Sequence, residues 1–201
     1  MASGMASGMP DLGAVILAAG KGERLGGVAK ALLVSGDRTF LSRIVETART
    51  AGLADAVCVV GPPYGEAVAA AARALGLRVV ENPDPARGMA SSLALGFAAI
   101  AAGPAAAAWL WPVDHAAVAP ATLATLVGAL GAHAAARPVH GGRGGHPPLV
   151  ARTLWAELAG CADRPGGARA VLAGADVRDV EVPDPGVVRD VDTRADLARL
   201  A

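Results

Sequence analysis

Four continuous apolar runs, "AVILAA" (14–19), "AVCVVG" (56–61), "LRVVEN" (77–82) and "AAAWLWPVD" (106–114), alternate with stretches of helical periodicity. A run that is apolar at successive positions, rather than at every second one, predicts a strand covered on both faces. Parallel sheets flanked by helices have that property. The segments 39–52, 65–76, 89–103 and 120–133 predict the covering helices. In the first of them Phe40, Ile44, Val45 and Ala48 share one face, and Gly52 ends it. An α/β chain with a parallel sheet is therefore expected. Later, 137–152 reads as two short extended pieces around a glycine-rich turn. A helix at 153–160, a short one around "ARAVLAG" and a strand at 177–182 follow. These make the sheet mixed. No repeat or linker interrupts the pattern, so one domain is expected over 13–201. The duplicated small-residue start "MASGMASGMP" reads as a disordered leader or cloning scar over 1–12.

Aromatic residues are only 3% of the 201, so the core must be built from Ala, Val and Leu. Lys+Arg and Asp+Glu are both 18, and a chain of formal net charge +0 without a basic run lacks the footprint of a nucleic-acid binder. Two cysteines are too few for a disulfide framework or a zinc site, and Cys58 inside "AVCVVG" reads as core. No apolar run reaches the ~18–20 residues of a membrane span. No membrane partner is expected, and the expected location is the cytoplasm.

Behind the first strand lies "LAAGKGERLGG" (17–27). Gly20, Gly22 and Gly26 are spaced G-x-G-x-x-x-G, one residue too long for a dinucleotide fingerprint. Gly22 to Gly27 is followed by Val28-Ala29, which excludes a P-loop. What remains is either a solvated turn or a phosphate cradle. In the cradle, glycine frees backbone N–H groups, Arg24 offers a two-pronged fork and Lys30 a point charge. Asp114 ends the fourth strand, where open α/β sheets bind ligands. A carboxylate directly after "WLWPV" is hard to explain as core and suits a hard cation such as Mg²⁺.

"LAAGKGERLGGVAK" resembles the signature loop of the nucleotidyltransferase superfamily, and most closely the molybdenum-cofactor, molybdopterin cytidylyltransferase-like group. "NPDPARGMASSLALG" (82–96), "PVDH" (112–115), "GGRGGHPPLVAR" (141–152) and "VRDVDTRADL" (188–197) follow in that family's order. The resemblance implies a single-domain, Rossmann-like three-layer αβα nucleotidyltransferase fold with a mostly parallel mixed sheet. It implies a Mg²⁺-dependent enzyme that transfers a nucleotidyl group from an NTP to a phosphorylated acceptor such as molybdopterin, releasing pyrophosphate. The alanine in "LAAG" favours CTP over GTP. A transient contact with a molybdoenzyme or its chaperone is implied as well.

Carried over residue by residue, Leu17, Ala18, Ala19, Gly20, Gly22, Arg24, Lys30, Gly88, Ser91 and Ser92 bind the nucleotide. Arg24, Lys30 and Asp114 are catalytic. Asp114 and Asp192 hold the metal, with Asp190 as the alternative to Asp192. His146 and Arg169 face the acceptor. Other readings stand beside these: Asp192 as the N-cap of the last helix, and Ser91 and Ser92 as caps of theirs. The chain departs from the family's pattern at three places. Ala29 stands where Pro often precedes the lysine, "DHA" (114–116) replaces D-Q-P, and Pro165 replaces an acidic residue. The last two touch the acceptor side. The competing functions are sugar- or alcohol-phosphate nucleotidyl transfer, and a non-catalytic nucleotide- or cofactor-binding chaperone on the same fold.

Overall fold

The computed structural model describes residues 11–22 and 26–199. The chain opens on β1 (Leu12–Leu17), passes through a 3₁₀ turn (Lys30–Leu32) and the hairpin β2 (Val34–Ser35) and β3 (Arg38–Thr39), and enters α1 (Phe40–Thr50). Three strand–helix units follow: β4 (Leu53–Val60) with α2 (Gly65–Ala74), β5 (Arg78–Glu81) with α3 (Met89–Ile100), and β6 (Ala107–Pro112) with α4 (Pro120–Leu130). The last third adds β7 (Ala135–His140), β8 (Arg143–Gly144), β9 (Leu149–Ala151), α5 (Trp155–Ala159), α6 (Gly167–Ala173), β10 (Val177–Glu181) and α7 (Arg194–Ala198).

The main sheet has the order β10-β7-β9-β6-β1-β4-β5, with β8 paired to β7. β1 lies parallel between β4 and β6, β5 continues parallel beside β4, and β10 is parallel to β7. β9 is antiparallel to both β6 and β7. The sheet is thus mostly parallel and mixed, as expected.

Period-2 alternation splits the buried residues of β1 between two cores. Leu12, Ala14 and Ile16 face a cluster with Phe40, Ile44, Val68 and Leu123 from α1, α2 and α4. Val15 and Leu17 face Leu93, Phe97, Ile100, Trp155 and Leu158 from α3 and α5. Helices therefore cover both faces, giving three layers. Phe40, Ile44, Val45 and Ala48 are fully buried, as the helical spacing predicts.

α3 crosses β1 closely because Gly96 lacks a side chain: a Cβ there would lie 2.3 Å from Val15 Cγ1. That approach brings the first turn of α3 to the carboxyl edge of the sheet. Element ends differ slightly from expectation. Ala18 and Ala19 leave β1, Ala18 N–H donating to the Val59 carbonyl at 2.8 Å. α4 stops at Leu130 because Gly131 turns to φ +49°. Among the described residues no helix is long and apolar enough to cross a membrane.

Candidate active site

A cleft of about 570 Å³ opens at the carboxyl ends of β1 and β6. Its lining includes Leu17, Ala18, Ala19, Gly20, Gly22, Lys30, Gly88, Ser92, Asp114 and Asp192, all singled out in the sequence. Lys21, Pro85, Ala86, Met89, Pro112 and Val113 complete it. Arg24 lies outside the described residues.

The loop after β1 is shaped by glycine. Gly22 has φ +57°, and a Cβ there would lie 2.1 Å from the Val28 carbonyl oxygen. Gly27 N–H closes the turn on the Gly22 carbonyl at 3.1 Å. The Tyr64 hydroxyl donates to the Gly27 carbonyl, tying the loop to the β4–α2 connection. The chain then enters the 3₁₀ turn that begins with Lys30.

Lys30 Nζ stands between two carboxylates brought together from distant parts of the chain. It donates to Asp192 Oδ1 and lies 3.5 Å from Asp114 Oδ2. Asp114 follows β6 directly. Asp192 is held beside it because Val191 N–H donates to the Asp114 carbonyl at 3.1 Å. Asp192 is not the cap of α7: Thr193 is, in a reciprocal capping box with Asp196. Asp190 is exposed and is not among the lining residues.

The second carboxylate oxygen of Asp114, Oδ1, is buried and has no hydrogen-bond partner among the described residues. A buried, unpaired carboxylate oxygen is costly unless a cation or donor meets it. On the cleft side, Asp114 Oδ2 and Asp192 Oδ1 both face the Lys30 ammonium, and that pair fits a hard divalent cation, which takes one or two carboxylates and completes its shell with phosphate oxygens and water.

The serines do not cap α3 through their side chains. The N-cap is Gly88, with no side-chain cap bond, and Ser91 Oγ instead donates back to the Gly88 carbonyl at 2.8 Å. Both serines accept from the buried amide of Asn82, the first residue of the 82–96 motif, whose role no local sequence signal marks.

His146 does not line the cleft. Its ring packs against His115, centroids 4.8 Å apart, and His115 Nε2 lies 3.9 Å from Asp114 Oδ1. Burial holds the His146 imidazole down at about 4, with His115 adding to the drop and Asp114 opposing it. Burial also lowers His115, against the pull of Asp114 and Asp190. The pair is therefore neutral near pH 7 and forms the wall behind Asp114. His115 was visible only as a departure from the D-Q-P pattern. Arg169 is exposed on α6 and is not among the lining residues. Cys58 is core, its thiol pushed up to about 12 by burial.

Residues 14–180 match the family described as the MobA-like NTP transferase domain. The Mycobacterium tuberculosis H37Rv protein Rv0371c is 33% identical, with a TM-score of 0.76 over 96% of this chain and 98% of that one. A structure of Rv0371c in complex with manganese superposes at TM-score 0.70 with 29% identity over 94% and 97%. Two curated relatives match over shorter stretches. The bifunctional IPC transferase and DIPP synthase of Rubrobacter xylanophilus is 45% identical over 91 residues, 43% of this chain and 21% of the relative. Nicotine blue oxidoreductase of Paenarthrobacter nicotinovorans is 41% identical over 91 residues, 45% of this chain and 44% of the relative. The matched stretch thus spans less than half the length of either curated relative.

Proposed function

The chain belongs to the MobA-like NTP transferase family, and from that premise we propose that it transfers a cytidylyl group from CTP to a phosphorylated acceptor such as molybdopterin, with Mg²⁺. The observation that carries this is the Lys30 ammonium between Asp114 and Asp192 at the mouth of a glycine-lined cleft. Two carboxylates around one cation-sized space suit a metal-bound triphosphate better than a bare binding pocket.

In the reaction an oxygen of the acceptor phosphate attacks the α-phosphorus of the NTP. The bond to the bridging oxygen breaks, and pyrophosphate leaves with the electron pair. Such a transfer asks for positioning and charge neutralisation more than covalent help. The backbone of Ala18–Gly22 cradles the triphosphate. Arg24 and Lys30 offset the charge that gathers on it, and Lys30 swings from its carboxylates to the phosphates when they arrive. Asp114 and Asp192 would hold the divalent ion, which when bound would supply neutralisation of the phosphate charge. Gly88 and Ser92 meet the base. His146 shapes the acceptor side from behind Asp114, and Arg169 takes the acceptor's phosphate. The manganese complex of Rv0371c supports a divalent site on this fold.

The name nicotine blue oxidoreductase favours a second reading, a redox reaction on the same domain. Thermal unfolding with CTP, GTP, UTP, ATP and NADPH, each with and without Mg²⁺, separates the two. A ligand at 100 times its Kd adds roughly 2.7 kcal/mol, or about 5–10 °C for a domain of this size. A Mg²⁺-dependent shift with CTP is expected. A shift with NADPH alone would move the assignment to redox chemistry.

A further inference from the structure

Asn82 follows β5 and is 2% exposed, and its side-chain amide is fully engaged. The backbone N–H of Asp84, which can only donate, lies 3.0 Å from Asn82 Oδ1. That contact fixes the orientation of the amide and turns its Nδ2 towards α3. There it donates to Ser91 Oγ at 2.9 Å and to Ser92 Oγ at 2.8 Å.

Each serine hydroxyl therefore accepts one amide hydrogen and keeps its own hydrogen to give. Ser91 gives its hydrogen to the Gly88 carbonyl at 2.8 Å. Ser92 lines the cleft, and among the described residues nothing accepts its hydrogen. A free serine hydroxyl presents donor or acceptor as its partner demands. The fixed amide fills one of its two lone pairs, and donation from Nδ2 polarises the Ser92 O–H towards giving its hydrogen.

We propose that Asn82 is a positioning residue that sets nucleobase preference, by holding Ser92 as a hydrogen-bond donor to an acceptor on the base edge such as a pyrimidine carbonyl. This rests on the reading of the cleft as an NTP site. A base that offers N–H at that point can reach only the one lone pair that Asn82 leaves, and the Ser92 hydrogen then stays unpaired, the situation in which buried polar sites reject the wrong ligand. Asn82 touches no substrate; it acts through Ser92.

The substitution Asn82→Asp keeps the shape and the contact to Asp84 but replaces the two donors with an acceptor. Ser91 and Ser92 must then donate to residue 82, and Ser92 turns lone pairs to the cleft. Ser92→Ala removes the hydroxyl. Kd values for CTP, UTP, GTP and ATP with Mg²⁺ are measured calorimetrically on the full chain for both variants and the wild type. The ratio between the preferred and the other nucleotides should fall about 3- to 10-fold in each variant, the worth of one hydrogen bond. A merely structural role would weaken all four nucleotides equally and leave the ratio unchanged. Should N82D fail to fold, S92A carries the comparison. Unchanged ratios in a wild type that discriminates would overturn the inference and leave the NTP reading standing. A wild type that binds no nucleotide would overturn both.

Discussion

In the proposed transfer Lys30 carries two roles, and its geometry lets a mutation separate them. With no nucleotide bound, its ammonium fills the space between Asp114 and Asp192 that a divalent cation needs. On the proposed reading the lysine and the metal would compete in the free protein and cooperate once a triphosphate draws the ammonium away. Lys30→Ala should lower the rate of transfer by about 10²- to 10³-fold, the range seen when one preorganised donor to a developing charge is removed. The same change should tighten Mn²⁺ binding to the nucleotide-free protein, because the Lys30 ammonium no longer competes for Asp114 and Asp192. Calorimetric titration with Mn²⁺ reads this directly; unchanged or weaker binding would mean that the carboxylates are not the metal site. Asp114→Asn should instead abolish the Mg²⁺ dependence of the nucleotide-induced shift in Tm. A shift equally metal-dependent in that variant would remove Asp114 from the site.

At the scale of an element, α3 shows how packing places a side chain that the cleft uses. Its contact with β1 exists because position 96 has no Cβ, and Ser92 sits about one turn earlier on the same helix. Gly96→Ala gains about 1 kcal/mol of helix propensity. It also drives a methyl to 2.3 Å from Val15 Cγ1 and 3.0 Å from Val59 Cγ2. Overpacking of that kind costs about 1–3 kcal/mol, so the clash wins. A lower Tm is expected, by roughly 2–4 °C per kcal/mol lost. Val15→Ala opens space at the contact, so the double variant should be more stable than the two single losses sum to. Simple additivity in thermal unfolding would show that the helix does not bear on Val15.

The sequence makes β1, β4, β5, β6 and their helices legible because long apolar runs and 3.6-residue periodicity survive without tertiary knowledge. The β2–β3 hairpin was not legible, since two-residue strands carry no period. Lys30, Asp114 and Asp192 could be named from the motifs. The Asn82–Ser92 network could not, because nine residues of loop and helix start lie between its members and only the docking of α3 brings them together.

The whole molecule depends on a pairing of the same hidden kind. β9 enters the sheet antiparallel between β6 and β7, which carries His146 from the loop before it onto His115 behind Asp114. The cluster that faces His146 consists of His115, Asp114 and the Leu110 backbone, and burial outweighs the favourable groups, leaving its folded pKa at about 4. The unfolded imidazole titrates near its ordinary value of about 6.5. Between those two values the unfolded chain binds a proton that the folded one refuses, so stability falls as the pH drops from 6.5 to 4. Integrated from pH 7 to pH 5, this one group removes about 2 kcal/mol. Carboxylates that titrate in the same window add their own slope, and a comparison isolates the histidine. Urea unfolding of the wild type and His146→Gln at pH 7 and pH 5 should show a smaller acid loss in the variant, by about 2 kcal/mol, whatever its stability at pH 7. Parallel losses in the two proteins would mean that His146 is solvated in the folded state, and the wall behind Asp114 would then be open to water.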